Sequence, residues 1–146
     1  MKVQELFEGT IRIKRREPSA AEKKAQAFIE RMYKKYPRNP LDGRQFVMVW
    51  GEGDEQELAM FELETSASKD GAVEVKWFQA WPQRKGVGSR ALKELQAQAK
   101  EEGTSLTLFP WEHGRISQAK LIKFYKSVGF NPIAKGSKVM HWSHEE

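Results

Sequence analysis

The residues best equipped for chemistry sit in one short run, Gln83-Arg84-Lys85-Gly86-Val87-Gly88-Ser89, with Arg90 directly after it. Two glycines bare the backbone, and guanidinium and ammonium groups flank them, a composition suited to an anion. If a helix starts at Val87, the free N–H groups of its first turn and the positive end of its dipole point at the same place. That is a phosphate cradle. The same Gly-x-Gly also suits a tight strand-to-helix turn whose cations are simply solvated, and on this stretch alone the two readings stand level.

Flanking elements must hold such a loop. Ahead of it, Val73, Val75 and Trp77 alternate with Glu74, Lys76 and Phe78, which predicts a strand over Val73–Ala80, stopped by Pro82, with Glu74 and Phe78 on one face. Behind it, Ala91, Leu92, Leu95 and Ala99 recur at helical spacing until Gly103 offers a C-terminal stop. The unit is strand, basic loop, helix.

Here the chain resembles the GCN5-related N-acetyltransferases. Gln83-x-x-Gly86-x-Gly88 is similar to that family's Gln/Arg-x-x-Gly-x-Gly/Ala loop, which cradles the pyrophosphate of acetyl-CoA at a helix start. Ile122-Lys123-Phe124-Tyr125-Lys126-Ser127-Val128-Gly129-Phe130 resembles its second signature, a helix carrying a tyrosine followed by Gly-Phe. The likeness runs from Glu57 to Trp142. It implies an α/β (α+β) fold with a mixed, mostly antiparallel central sheet flanked by helices, and parallel strands splayed apart at the acetyl-CoA site. The implied activity is direct, sequential transfer of an acetyl group from acetyl-CoA to a primary amine on a small molecule or a protein.

By that resemblance Gln83, Arg84, Lys85, Gly86, Val87, Gly88 and Ser89 hold the cofactor, Ala80 contacts the pantetheine amides, and the Phe78 N–H polarises the thioester carbonyl. Such a donor is often worth a few kcal/mol of barrier. The parallel strands would part beyond Ala80. Tyr125 matches the family tyrosine and is the expected acid for the departing thiolate; on spacing alone it packs beside Ile122, Phe124 and Val128. Two candidates remain for the base. Glu74 lies near where relatives place a catalytic glutamate, yet it also reads as a surface carboxylate paired with Lys76. His113 follows the strand expected over Ser105–Phe109 and belongs to the one residue type that titrates near neutrality, yet it also reads as an exposed loop histidine. Gln118 stands where relatives often carry an asparagine that contacts CoA. An unassigned base and that glutamine keep a second class open: an acetyltransferase-like protein, packaged or scaffold-binding, that keeps the fold without turnover.

Composition narrows the field. A chain of 146 residues with 39% apolar content is the size of one domain with a real core. It has no cysteine, which excludes disulfides, thiolate zinc sites and a cysteine nucleophile, and no metal is expected. Neither a run near membrane-spanning length nor a signal core is present, so a soluble, cytoplasmic protein is expected. The net charge of +5 fits an anionic cofactor. The basic cluster Ile11–Arg16 lacks interleaved aromatics, so nucleic acid is not the expected partner. Glu52–Glu64 is acidic, which suits a cationic acceptor or a merely solvated hairpin. Monomer and homodimer stay equally open.

Taken in order, Met1–Glu8 followed by Gly9 reads as a frayed terminus, and it also resembles the short capsid-targeting leaders of internal head proteins in large tailed bacteriophages, cut after a glutamate. The division is therefore a leader over 1–9 and one acetyltransferase-like domain over 10–146, with a virion interior as the location if the leader is functional. Thr10–Lys14 alternates as a first strand. Ser19 and Glu22 form a capping box ahead of a helix whose stripe of Ala25, Phe28, Ile29, Met32, Tyr33 and Tyr36 ends at Pro37. Pro37–Arg44 is rich in turn formers where relatives carry a second helix, so that helix is expected to be short or missing. Phe46–Trp50 and Glu57–Thr65 read as a hairpin, and Phe130–Trp142 as a closing hairpin turning at Lys135-Gly136-Ser137.

Overall fold

The computed structural model describes residues 17–82, 86–111 and 116–145. The leader over Met1–Glu8 and the strand expected over Thr10–Lys14 lie outside them. Helix α1 (Ala20–Lys35) starts where Ser19 Oγ accepts the Glu22 N–H at 3.1 Å, and it ends at Tyr36, before Pro37. Then come β1 (Arg38–Asn39), β2 (Asp42–Trp50), a 3-10 turn at Gly53–Glu55, β3 (Glu57–Thr65) and β4 (Val73–Trp81). After them stand α2 (Val87–Glu102), β5 (Leu106–Leu108), α3 (Gln118–Ser127), β6 (Asn131–Pro132) and β7 (Met140–Trp142). Where a second helix was in question, the chain forms the two-residue β1 and the start of β2 instead.

The described strands make one sheet in the order β1-β2-β3-β4-β5-β7-β6. Only β4 and β5 run parallel; every other neighbour is antiparallel. This is the expected mixed, mostly antiparallel sheet flanked by helices. Its core lies on one face, where Phe46, Phe61, Val73, Val75, Leu106 and Met140 meet Phe28 and Met32 of α1 and Ala91, Leu92 and Leu95 of α2. Four rings cross that face in a stack. Tyr36, Phe46, Phe61 and Phe78 follow one another at centroid spacings of 5.4, 5.4 and 4.8 Å, so the anchored core reaches β4 at Phe78. Helix α3 packs beside α2 on this side, with Gln96 Nε2 donating to Val128 O at 2.7 Å.

Opposite the core, Val49, Trp77 and Trp81 remain 44%, 40% and 53% exposed. Among the described residues, Asn39 of β1 reaches Met60 and Ser66 reaches Thr107 on that face. No helix of the described residues is long and apolar enough to cross a membrane.

Candidate active site

Strand β4 is held on both sides for only part of its length. It pairs with β5 through Val73, Glu74 and Val75, opposite Leu106, Thr107 and Leu108. From Lys76 onward it has no β5 partner, while pairing with β3 continues to Leu58 opposite Trp81. The parting expected beyond Ala80 thus begins right after Val75. The reason is β5 itself: it ends at Leu108, the chain bends as Trp111 N bonds Phe109 O at 2.9 Å, and Pro110 has no N–H to extend a ladder. An extended ligand can pair with the bare edge.

A β-bulge decides which groups face that edge. On β3, Glu62 pairs with Trp77 but Leu63 pairs with Val75, so Lys76 is the extra residue. Below the bulge, the Val73 N–H points toward β5 and bonds Ser105 O at 2.9 Å. Above it the parity is reversed. The Leu63 N–H turns away from β4 to the Tyr33 hydroxyl at 3.1 Å, and Phe61, two residues earlier, has the same orientation. Its partner Phe78 therefore directs N–H and C=O away from β3 into the gap, and Ala80 does the same. The bulge also corrects the predicted faces. Phe78 stands with Val73 and Val75 on the core face, whereas Glu74 stands with Trp77 on the open face, so Glu74 and Phe78 do not share one. The adjacent apolar pair Trp77-Phe78, which breaks the alternation, was the signal for it.

Glu74 lies beside the last β4–β5 pairs, directly opposite Glu64. Lys76 Nζ sits 3.6 Å from Glu64 Oε2 and 4.0 Å from Glu74 Oε2, bridging two like charges that would otherwise repel across the strands. Sequence reasoning took Lys76 as a surface partner of Glu74 and gave it no role at the opening.

The other wall of the gap is the N-terminus of α2. Gly86 is its N-cap in the left-handed region at φ 76°, without a side-chain cap bond, and nothing lies within 4 Å of where a Cβ would be. No Gly86 side chain exists to cap the first-turn N–H groups. Gly88 has a packing reason as well: a Cβ would fall 3.3 Å from Phe124 Cζ and 3.5 Å from Phe78 Cζ. Its bareness lets α2, α3 and β4 converge. Val87 is buried, Ser89 is half-buried in the first turn, and Gln83, Arg84 and Lys85 lie outside the described residues. Arg90 turns the other way, donating to Glu57 at 2.8 Å with its guanidinium 5.2 Å from the Trp50 ring centroid. It serves the β2–β3 hairpin rather than the loop.

Tyr125 is 8% exposed, edge-on to Phe124 and Phe130. Burial pushes its hydroxyl up to about 12. The Tyr…Gly-Phe spacing has a backbone cause as well. The Gly129 N–H bonds Lys126 O at 3.1 Å and the Phe130 N–H bonds Tyr125 O at 3.0 Å, with Gly129 at φ 95° and Phe130 packed on Tyr125. This is a Schellman stop to α3 with its apolar contact. Gln118, the first residue of α3, donates to Pro110 O at 3.1 Å and so ties α3 to the bend after β5. His113 lies outside the described residues. Among those described, no group of three or more acidic or histidine side chains is placed to hold a metal ion.

No protein-family profile matches the chain, and no curated protein matches it. Solved structures do. They include the anti-CRISPR protein AcrVA5, at 24% identity over 66% of this chain and 98% of that one, with a TM-score of 0.49. AtaTR bound with AcCoA matches at 14% identity over 70% of this chain and 69% of that one, TM-score 0.47. The KacTA–DNA complex matches at 14% identity over 87% of this chain and 83% of that one, TM-score 0.46.

Proposed function

We propose that the protein is an acetyl-CoA-dependent N-acetyltransferase acting on a primary amine by direct attack. The observation that carries the reading is the gap between β4 and β5 beyond Val75, bounded by the outward backbone of Phe78 and Ala80 and facing the bare helix start at Gly86. A pantetheine arm would pair with that edge as a strand does, and its pyrophosphate would meet the first-turn N–H groups. Gln83, Arg84, Lys85, Val87, Gly88 and Ser89 would complete the binding loop, with Gln118, tied to Pro110 O at the bend after β5, as a further cofactor contact from α3. Phe78 N–H donates to the carbonyl oxygen as charge develops there. Glu74, or His113 beyond the bend, takes the amine proton.

Tyr125 is the acid that protonates the leaving sulfur. An alkyl thiol such as that of pantetheine is less acidic than a cysteine side chain but still more acidic than a hydroxyl raised to about 12, so outright proton transfer to a hydrated thiolate is uphill. The two come level only where the sulfur shares the tyrosine's dry surroundings, because desolvation raises both. The unassigned base and Gln118 in place of the family asparagine favour a second reading, an acetyltransferase-like protein that binds acetyl-CoA without turning it over.

Calorimetric titration with acetyl-CoA tests the cofactor site in wild type, Gly86→Asp and Gly86→Asn. Asp and Asn tolerate the left-handed backbone, so the pair isolates the charge. We expect saturable binding in wild type, weakening at least about tenfold more in Gly86→Asp than in Gly86→Asn. Equal affinities in the two variants, or no binding in wild type, would refute the site. Binding with no transfer to any amine of a broad panel would decide for the second reading.

A further inference from the structure

We propose that Lys76 is itself an acetyl acceptor, modified in cis by the protein's own site. The inference rests on the acetyltransferase reading above. Three observations single this lysine out. It is the extra residue of the β4 bulge, the first position past the last β4–β5 pair, so its backbone lies at the mouth of the gap. Its amine is on the face opposite α2 and α3, and is held between Glu64 and Glu74 at 3.6 and 4.0 Å. Its side chain is 42% exposed, leaving the stem free to swing.

Reach is sufficient. Two residues of strand separate Lys76 from Phe78, about 7 Å along β4, a span the flexible four-carbon stem can cover. A thioester whose carbonyl oxygen accepts from Phe78 N–H would present its carbon to an amine arriving from the open face, where Lys76 and Glu74 stand. In the step, Lys76 loses a proton to Glu74 and its nitrogen attacks the thioester carbon. A C–N bond forms, the C–S bond breaks with its electron pair on the CoA sulfur, and the nitrogen's second proton passes to that sulfur through Tyr125 or water, leaving the neutral amide and free CoA. The products are Nε-acetyl-Lys76, CoA thiol and the proton released from Glu74.

The modification has a consequence for the same face. Glu64, Glu74 and Lys76 together carry one net negative charge; acetylation leaves two, and the two carboxylates lose the cation that bridges them. An incoming cationic acceptor then takes the place the Lys76 ammonium held. Lys76 is thus a built-in stand-in for the acceptor amine.

The test incubates the full chain with acetyl-CoA, follows intact mass and locates the label by peptide mapping. We expect one acetyl group, on Lys76, at a rate independent of protein concentration. Lys76→Arg should drop the label to background, and Glu74→Gln should slow it about a hundredfold. Gly86→Asp should abolish it, separating enzymatic from spontaneous acetylation. An unlabelled Lys76 in a protein that binds acetyl-CoA by calorimetry would overturn this proposal and leave the acetyltransferase reading intact. So would a label that survives Gly86→Asp, or a rate that rises with protein concentration. Failure to bind acetyl-CoA would instead remove the reading on which the proposal stands.

Discussion

The two ends of β4 are built on opposite terms. At Val73–Val75 the strand is clamped by β3 and β5, its inward side chains are buried, and the neighbouring Leu106, Thr107 and Leu108 are nearly inaccessible. At Lys76–Trp81 its only strand partner among the described residues is β3, and Trp77 and Trp81 are exposed. One bulged residue separates the regimes, and the same bulge turns the Phe78 and Ala80 backbone into the gap. Stability is concentrated where the ladder is complete, and ligand-binding capacity where it is not. A buried backbone group needs a partner, so an unpaired edge next to a rigid core is a site waiting for one.

The largest expected effect breaks the comparison if it fails. Leu106→Ala, at a fully buried position of the clamped end, should cost about 3 kcal/mol and lower the folding equilibrium more than a hundredfold. Trp81→Ala, 53% exposed at the open end, should cost less than about 1 kcal/mol. Urea unfolding of both variants decides it. Equal losses would mean that the open end is as much a part of the folding core as the closed one.

Next in size is an alkaline effect that locates the dry part of the open end. Tyr125 titrates near 12 in the folded chain against its usual 10.0, so the stability it contributes is fully present below about pH 10 and is lost as pH rises through 12. Relative to Tyr125→Phe, wild type should lose up to about 3 kcal/mol across that window. Denaturant midpoints of the pair at rising pH measure it. A constant difference would place the hydroxyl in water and remove the reason for sulfur and tyrosine to share a dry site.

Much of this contrast was legible in the sequence, and the illegible part has a physical cause. Glu57–Thr65 forms the strand its alternation predicts, Ser19 caps α1, and Gly103 ends α2 in the left-handed region at φ 68°. These are local signals, each set by a few adjacent residues. The bulge is different: period-2 reading carries parity unchanged through Lys76, whereas the sheet inserts that residue because β3 and β4 must bring Phe61 and Phe78 to one face. Strand β5 is also shorter than its apolar run suggests: Ser105 still accepts from Val73 N–H, but the bend at Pro110 takes Phe109 out of the strand Leu106–Leu108. The two glycines of the loop read alike in the sequence, whereas in the structure Gly86 bares a helix start and Gly88 in addition lets two phenylalanines approach. No sequence pattern distinguishes those, because the approaching rings come from β4 and α3.

The smallest predicted effect sharpens the comparison from the clamped side. Thr104 leads into β5 at 1% exposure; its N–H bonds Ala99 O at 2.9 Å, but its Oγ1 has no partner among the described residues. A buried hydroxyl without a partner forfeits its hydration for nothing, so Thr104→Val, nearly the same shape without the hydroxyl, should stabilise the chain by about 1 kcal/mol. Acetyl-CoA affinity should not move, because Thr104 enters β5 at the end where that strand is still paired with β4. A gain in urea midpoint with unchanged calorimetry would show that the clamped end can be tightened independently of the gap. A loss would mean that water satisfies the hydroxyl, and that the closed end of the sheet is wetter than its packing implies.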